Sequence, residues 1–303
     1  MTGSPWAVVL AGGDGDRVAA MTRDAQGRVV PKQFWSFDDG PPMVRWALAR
    51  ARRVAPAPRV LVAVTEPHRP HWQRHLADVP RHNILVQPEN RGTAVGVLRA
   101  LVEVQARGCA AAPAVLLPAD HYVGNEFVLH HALAEAVLSA RHDHPPVVLL
   151  GVSPRSAEAG YGWILPEASG PIARVSRFVE KPPAESVAEM VRGGALINSF
   201  ILVARVQVLL GIIGRLLPDV LSAFRRLASS APDGAACRRL YERLPSIDLS
   251  RDVLERAVKS LSVVRVPPCG WSDLGTPERL RQFLDGPPRH PRLTAAGAGT
   301  AAA

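Results

Sequence analysis

The chain has 303 residues, 47% of them hydrophobic and 21% charged, enough to bury the core of one large α/β domain or two small ones. Its three cysteines, Cys109, Cys237 and Cys269, are odd in number and far apart, so neither a disulfide framework nor a paired-cysteine metal knuckle is expected, and a reducing compartment is. The net charge of +9 is scattered as arginine through nearly every helical stretch and forms no basic block interleaved with aromatics, which argues against nucleic-acid binding.

The first apolar run, 6–11, has no basic region before it and is too short for a signal peptide or a membrane span. A cytoplasmic protein with no membrane contact is expected. Further strands are predicted at 59–64, 83–87, 114–118 and 147–151. Between them, "MVRWALARARRVA", "TAVGVLRALVEVQARG" and "EFVLHHALAEAVLSARH" repeat apolar residues at three and four, as helices do. Strands buried on both faces and joined by crossover helices predict an α/β fold with a doubly wound, mostly parallel sheet. Ligands bind such sheets beyond the carboxyl ends of the strands. After residue 160, "YGWILP", "IARVSRFVEKP" and "INSFILVA" read as strands with less helix between them, so a mixed-sheet portion follows. Helical segments fill 206–258, and a last strand, "LSVVRVP", leads into "PCGWSDLG". Residues 1–285 are read as one domain. The Gly- and Pro-rich segment 286–303 is read as a disordered tail.

The first strand ends in "LAGGDGDRV". Glycines there let backbone N–H groups from Ala11 to Gly15 converge on an anion, and Arg17 adds a fork suited to phosphate oxygens. The pattern is neither G-x-G-x-x-G nor a Walker A loop, and a tight strand-to-helix connection would use the same glycines. Among 36 basic residues only Lys32, Lys181 and Lys259 are lysine. Where arginine is the default, a retained lysine marks a position suited to a compact charge. His68, His71 and His75 fall at i, i+3 and i+7 in a polar segment, and a solvated helix face is expected rather than a metal site.

"LAGGDGDRV…PKQF" resembles the signature of the sugar-1-phosphate nucleotidyltransferases, and "PKQF" is most similar to the mannose-1-phosphate guanylyltransferases. "QPENRGTAVG", "LPADHYV", "GYGWI", "FVEKP", "NSF" and "CGWSDLG" follow in that family's order, up to about residue 285. The resemblance implies a Rossmann-like, glycosyltransferase-A-like sheet and transfer of a nucleoside monophosphate from an NTP to a sugar 1-phosphate, with release of pyrophosphate. GTP and mannose 1-phosphate are the first pair it implies; dTTP or UTP with glucose 1-phosphate is the alternative. A catalytically weak regulatory homologue is a further alternative, and a homodimer is left open.

Residue by residue, the resemblance places the triphosphate on Ala11, Gly12, Gly13, Gly15 and Arg17, with Lys32 offsetting charge on the leaving pyrophosphate. Asp120 and Asp273 would hold Mg²⁺ between them, although each aspartate alone reads equally as a turn former or cap. Gln87, Glu89, Gly92 and Thr93 would meet the base. Glu89 is the expected guanine reader, since a carboxylate accepts from N1 and N2, while Thr93 would also cap the following helix, 94–107. Tyr161, Gly162, Glu180 and Asn198 would line the sugar, with Lys181 on its phosphate. Lys259 matches no motif and is expected at the surface. The chain departs from the pattern at Asp16, at Val95 and at Phe200, where a glycine is usual after Asn-Ser.

Overall fold

Side chains along a strand point alternately to opposite faces, so strands that are apolar throughout require a covering layer on each side. The computed structural model, which describes residues 4–38, 40–141, 146–229 and 234–286, has this arrangement. In chain order the first elements are β1 (Trp6–Leu10), α1 (Met43–Val54), β2 (Val60–Thr65), α2 (Arg69–His75), β3 (Ile84–Gln87), α3 (Thr93–Ala106), β4 (Pro113–Pro118) and α4 (Glu126–Ser139). Next come β5 (Val147–Val152), β6 (Gly162–Pro166), β7 (Ile172–Glu180), α5 (Ala184–Arg192) and β8 (Leu196–Arg205). The remainder is α6 (Val206–Leu216), α7 (Pro218–Ser229), α8 (Gly234–Arg243), β9 (Leu261–Val266) and α9 (Pro277–Leu284). The predicted tail lies outside the described residues from residue 287 onward.

The nine strands of the described residues form one sheet in the order β3-β2-β1-β4-β8-β5-β9-β7-β6. Its first four strands are parallel, as a doubly wound fold requires. Beyond them β8 runs antiparallel to both β4 and β5, and β7 runs antiparallel to β6 and β9. The expected mixed portion is therefore a continuation of the same sheet. Val9, Val62, Val115 and Leu117 pack on one face with α1, α4 and α9; Val8, Leu61, Ala114 and Leu116 pack on the other with α3, α6, α7 and α8.

Strands β2 and β3 begin a residue later than predicted, because Ala57–Arg59 and Arg81–Asn83 form short 3₁₀ turns behind prolines. The end of the predicted helical stretch is not α-helical: Ser250–Leu254 is a π turn and Glu255–Ser260 a 3₁₀ turn. Lys259 is exposed, as expected. The histidine segment differs from expectation. His68 is buried, with Nδ1 3.0 Å from Thr65 Oγ1, and His71 and His75 stack on Phe34 at ring-centroid distances of 5.9 and 6.4 Å. Phe34, from "PKQF", covers the face that the polar sequence had suggested was solvated, and burial pushes all three imidazole pKa values down.

Helices α1 and α4 are joined by a buried ion pair. Arg50 Nε and Nη2 donate to Glu126 Oε2 and Oε1 at 3.1 and 2.7 Å. Glu126→Ala leaves a buried guanidinium without its counter-charge and is expected to lower unfolding free energy by about 3–5 kcal/mol, whereas Arg50→Met with Glu126→Leu recovers most of the loss. Urea unfolding of the two variants checks both values.

Candidate active site

Loops at the carboxyl ends of the strands enclose a cleft of about 350 Å³. Gly12, Gly13 and the exposed Arg17 line its first end. Gln33, buried behind them, fixes this loop: its Nε2 donates to the carbonyls of Ala11 and Gly13 at 3.0 and 2.8 Å. Ala11 is itself buried and donates its N–H to Ala63 O at 2.8 Å. Gly15 adopts φ 72° and packs on the Lys32 backbone, so it shapes the loop from behind the cleft wall. The departure residue Asp16 is exposed.

Two loops meet at the middle of the cleft. The one after β4 carries Asp120, the one after β9 carries Asp273, and Tyr122 and Ser272 join them by reciprocal backbone hydrogen bonds of 2.9 and 3.0 Å. Lys32 spans the junction, its Nζ 2.7 Å from Asp120 Oδ2 and 2.5 Å from the Asp273 carbonyl. The lysine is only 4% exposed and stands behind the two aspartates. The Asp120 side chain keeps 35% exposure. Burial opposes its ionisation most strongly, but the Lys32 ammonium, together with His121 and hydrogen bonds, holds the carboxyl below its ordinary range. Asp273 is paired with Arg279, whose Nε and Nη2 lie 3.1 and 3.2 Å from its two oxygens. Arg279 also reaches Glu158 at 2.9 Å and covers the Tyr161 ring at 4.1 Å from its centroid. His121 lines the cleft beside Asp120; burial lowers its pKa, and its Nδ1 has no hydrogen-bond partner among the described residues.

On the predicted base-binding side, Gln87, Gly92 and Thr93 line the cleft. Tyr241 donates its hydroxyl to Gln87 Oε1 at 3.2 Å. Gly92 has φ 86°, and a Cβ there would overlap the Ile247 backbone. That close approach lets Ala94 N–H donate to Ile247 O at 3.1 Å and Leu249 N–H to Thr93 Oγ1 at 2.8 Å. Thr93 thus holds the 246–250 segment and does not cap α3, whose N-cap is Gly92. Glu89 does not line the cleft: it is 44% exposed and paired with Arg91 at 2.7 Å. Asn90, which sequence reasoning left unassigned, does line it, and donates to Asp14 Oδ2 at 2.7 Å across the opening.

At the far end, Tyr161, Gly162, Glu180, Lys181 and Asn198 come together. Gly162 pairs with Glu180 across the β6–β7 ladder and leaves space for that carboxylate, which would collide with any Cβ. Burial and the neighbouring Asp248 raise the Glu180 pKa, against the pull of Lys181. Lys181 is half exposed, with its Nζ 3.6 Å from Glu180 Oε1.

Sequence reasoning missed Arg279, His121, Gln33, Asn90 and Asp248. Arg279 and Asp248 lie in helical or turn segments with nothing local to mark them. Gln33 sits inside "PKQF", and its burial was the missing signal. Among the described residues there is no group of three or more His, Cys, Asp and Glu side chains able to hold a metal. A divalent cation at this centre would rest on Asp120, Asp273 and the oxygens of a substrate. That all-oxygen, low-count donor set suits Mg²⁺. The partially exposed Asp120 carboxylate fits the role, while Asp273 would have to share its oxygens with Arg279.

A depressed carboxylate pKa stabilises the fold above the ordinary carboxylate range and loses that contribution as pH falls through the depressed value. Lys32→Met removes the foremost charge that depresses Asp120 and leaves burial less opposed. Carbon-detected NMR titration is expected to find the Asp120 pKa below the ordinary carboxylate range in the parent chain and clearly higher in the variant than in the parent.

The nucleotidyl transferase family model matches residues 6–285. A mannose-1-phosphate guanylyltransferase of Klebsiella pneumoniae is 28% identical over 89% of this chain and 58% of its own. An alginate biosynthesis protein of Pseudomonas syringae pv. tomato is 29% identical over 88% of this chain and 56% of its own. The chain thus spans under three fifths of the length of these curated relatives. A crystal structure from Thermus thermophilus, described as a mannose-1-phosphate geranyltransferase, superposes with a TM-score of 0.81 at 27% identity, covering 95% of this chain and 81% of that one. With the matching model spanning nearly every described residue, the chain belongs to the nucleotidyl transferase family.

Proposed function

We propose that the cleft transfers a nucleoside monophosphate from an NTP to a sugar 1-phosphate, with GTP and mannose 1-phosphate as the pair. The observation that carries this reading is the Asp120–Lys32–Asp273 junction midway between a glycine-rich loop and a sugar-type pocket. Relatives named mannose-1-phosphate guanylyltransferase favour the guanine and mannose assignments. The proposed setting is cytoplasmic; among the described residues no helix is long and apolar enough to cross a membrane.

In this reaction an oxygen of the sugar phosphate forms a bond to the α-phosphorus while the bond to the β-phosphate bridging oxygen breaks, and pyrophosphate leaves with that electron pair. No covalent intermediate on the protein is needed, so its work is alignment and charge compensation. Arg17 and the backbone around Gly12 and Gly13 hold the triphosphate. Gln87, Asn90 and Gly92 flank the base; Glu89, drawn aside by Arg91, is not part of that contact. Lys181 meets the sugar phosphate, and Glu180, Asn198 and Tyr161 orient the sugar. Lys32 fixes Asp120 relative to Asp273 and supplies positive charge beneath the reacting phosphates. Mg²⁺ held by Asp120 and Asp273 would neutralise phosphate charge when bound.

Pyrophosphate release across five NTPs and a set of sugar 1-phosphates tests the proposal. Release is expected with GTP and mannose 1-phosphate, reduced roughly a hundredfold or more by Asp120→Asn or Asp273→Asn. Turnover with another pair, such as dTTP or UTP with glucose 1-phosphate, keeps the chemistry and changes the substrates. Silence across the grid with nucleotide binding intact would point to a regulatory homologue.

A further inference from the structure

Three residues in neighbouring strands form an apolar row under the cleft. Ala63 pairs with Leu10 across β2–β1, Leu10 pairs with Pro118 across β1–β4, and all three line the cavity. The next strand is β8, and there the cavity is lined by Phe200, beside Asn198 at the sugar end. Phe200 does not reach this place by ordinary strand geometry. The β5–β8 register shifts between Leu149 and Gly151, which pair with Leu202 and Asn198, so three residues of β8 face one of β5. At this bulge Phe200 has φ 60°, a left-handed conformation costly for a residue with a Cβ.

The surroundings hold that conformation in place. The buried Ser199 donates its hydroxyl to Leu150 O at 2.6 Å, Phe200 N–H donates to Asn198 Oδ1 at 3.1 Å, and Ile201 N–H donates to Ser199 Oγ at 3.2 Å. A glycine would adopt the same backbone without strain. Strain kept at the wall of a binding cleft, where the smallest residue would relieve it, assigns a role to the ring. The bulge also engages one lone pair of the Asn198 amide oxygen with the backbone, which fixes the side chain beside the ring.

We propose that Phe200 is the sugar-selecting residue of this cleft: its ring takes a C–H face of the pyranose and turns away epimers that present a hydroxyl there. A hydroxyl against the ring would leave water without gaining a partner, whereas a C–H face loses nothing by the exchange. This inference rests on the sugar-1-phosphate reading above. It goes further in naming what discriminates among sugars that differ only in the direction of one hydroxyl.

The test measures kcat/KM for mannose, glucose and galactose 1-phosphates in the parent chain, Phe200→Gly and Phe200→Leu, with a circular-dichroism melt to report folding. The parent is expected to separate best from worst sugar by at least tenfold, and the Gly variant to compress that ratio to about threefold or less. Phe200→Leu is expected to keep the ranking while lowering kcat/KM for the best sugar several-fold, because it retains bulk but not the aromatic face. Ratios in the Gly variant within twofold of the parent's overturn the proposal. A Leu variant matching the parent on every sugar overturns the aromatic contact, even if the Gly variant fails to fold. Absence of turnover by the parent with every pair overturns the underlying reading, a result distinct from turnover with unchanged ratios.

Discussion

A lysine ammonium cannot be taken out of water unless something replaces its hydration, and Lys32 is almost wholly buried. Its replacements are the Asp120 carboxylate and the Asp273 carbonyl, brought from the ends of β4 and β9. This contact spans 241 residues of sequence and fixes the spacing of the two aspartates before any ligand arrives. Much of the cleft depends on it. Gly15 rests on the Lys32 backbone, and Gln33, the next residue, sets the carbonyls of the glycine-rich loop. The segment that carries the buried charge therefore also shapes the loop proposed for phosphate.

Backbone strain is concentrated around the same cleft. The non-glycine residues with positive φ among those described are Lys181, Phe200 and Leu274. Lys181 follows Glu180, Leu274 follows Asp273, and Phe200 stands two residues beyond Asn198. Each bends the chain within two residues of a side chain that lines the cavity, and each is held by a backbone hydrogen bond: Lys181 N–H to Tyr161 O, Phe200 N–H to Asn198 Oδ1, and Leu274 N–H to Ser272 Oγ. Such conformations persist only where neighbouring structure over-determines them. The two-layered core beneath the cleft supplies that rigidity.

Arg279 ties the middle of the site to its sugar end. Its guanidinium holds Asp273 and Glu158 and lies on Tyr161, so the central carboxylate and the sugar-side loop share one buried cation. A divalent cation approaching Asp273 would share a carboxylate already compensated by Arg279, whereas Asp120 is the more exposed of the two, at 35% against 17%.

The sequence by itself determined the elements and most of the chemistry. Apolar runs that alternate with 3.6-period segments are local patterns, and they placed β1 to β5 to within a residue and α1, α3 and α4 to within three. Glycine-rich loops, retained lysines and aspartates after strands are also local, so most of the residues proposed for phosphate, metal and sugar, and now found lining one cleft, were legible in order. Tertiary structure alone decided what depends on partners far away in sequence. Thr93 reads as a helix cap until Leu249, 156 residues further on, claims its hydroxyl. The histidines read as solvated until Phe34 covers them. The left-handed conformation of Phe200 arises from a register shift between β5 and β8, a property of two strands paired in space that neither strand's sequence records.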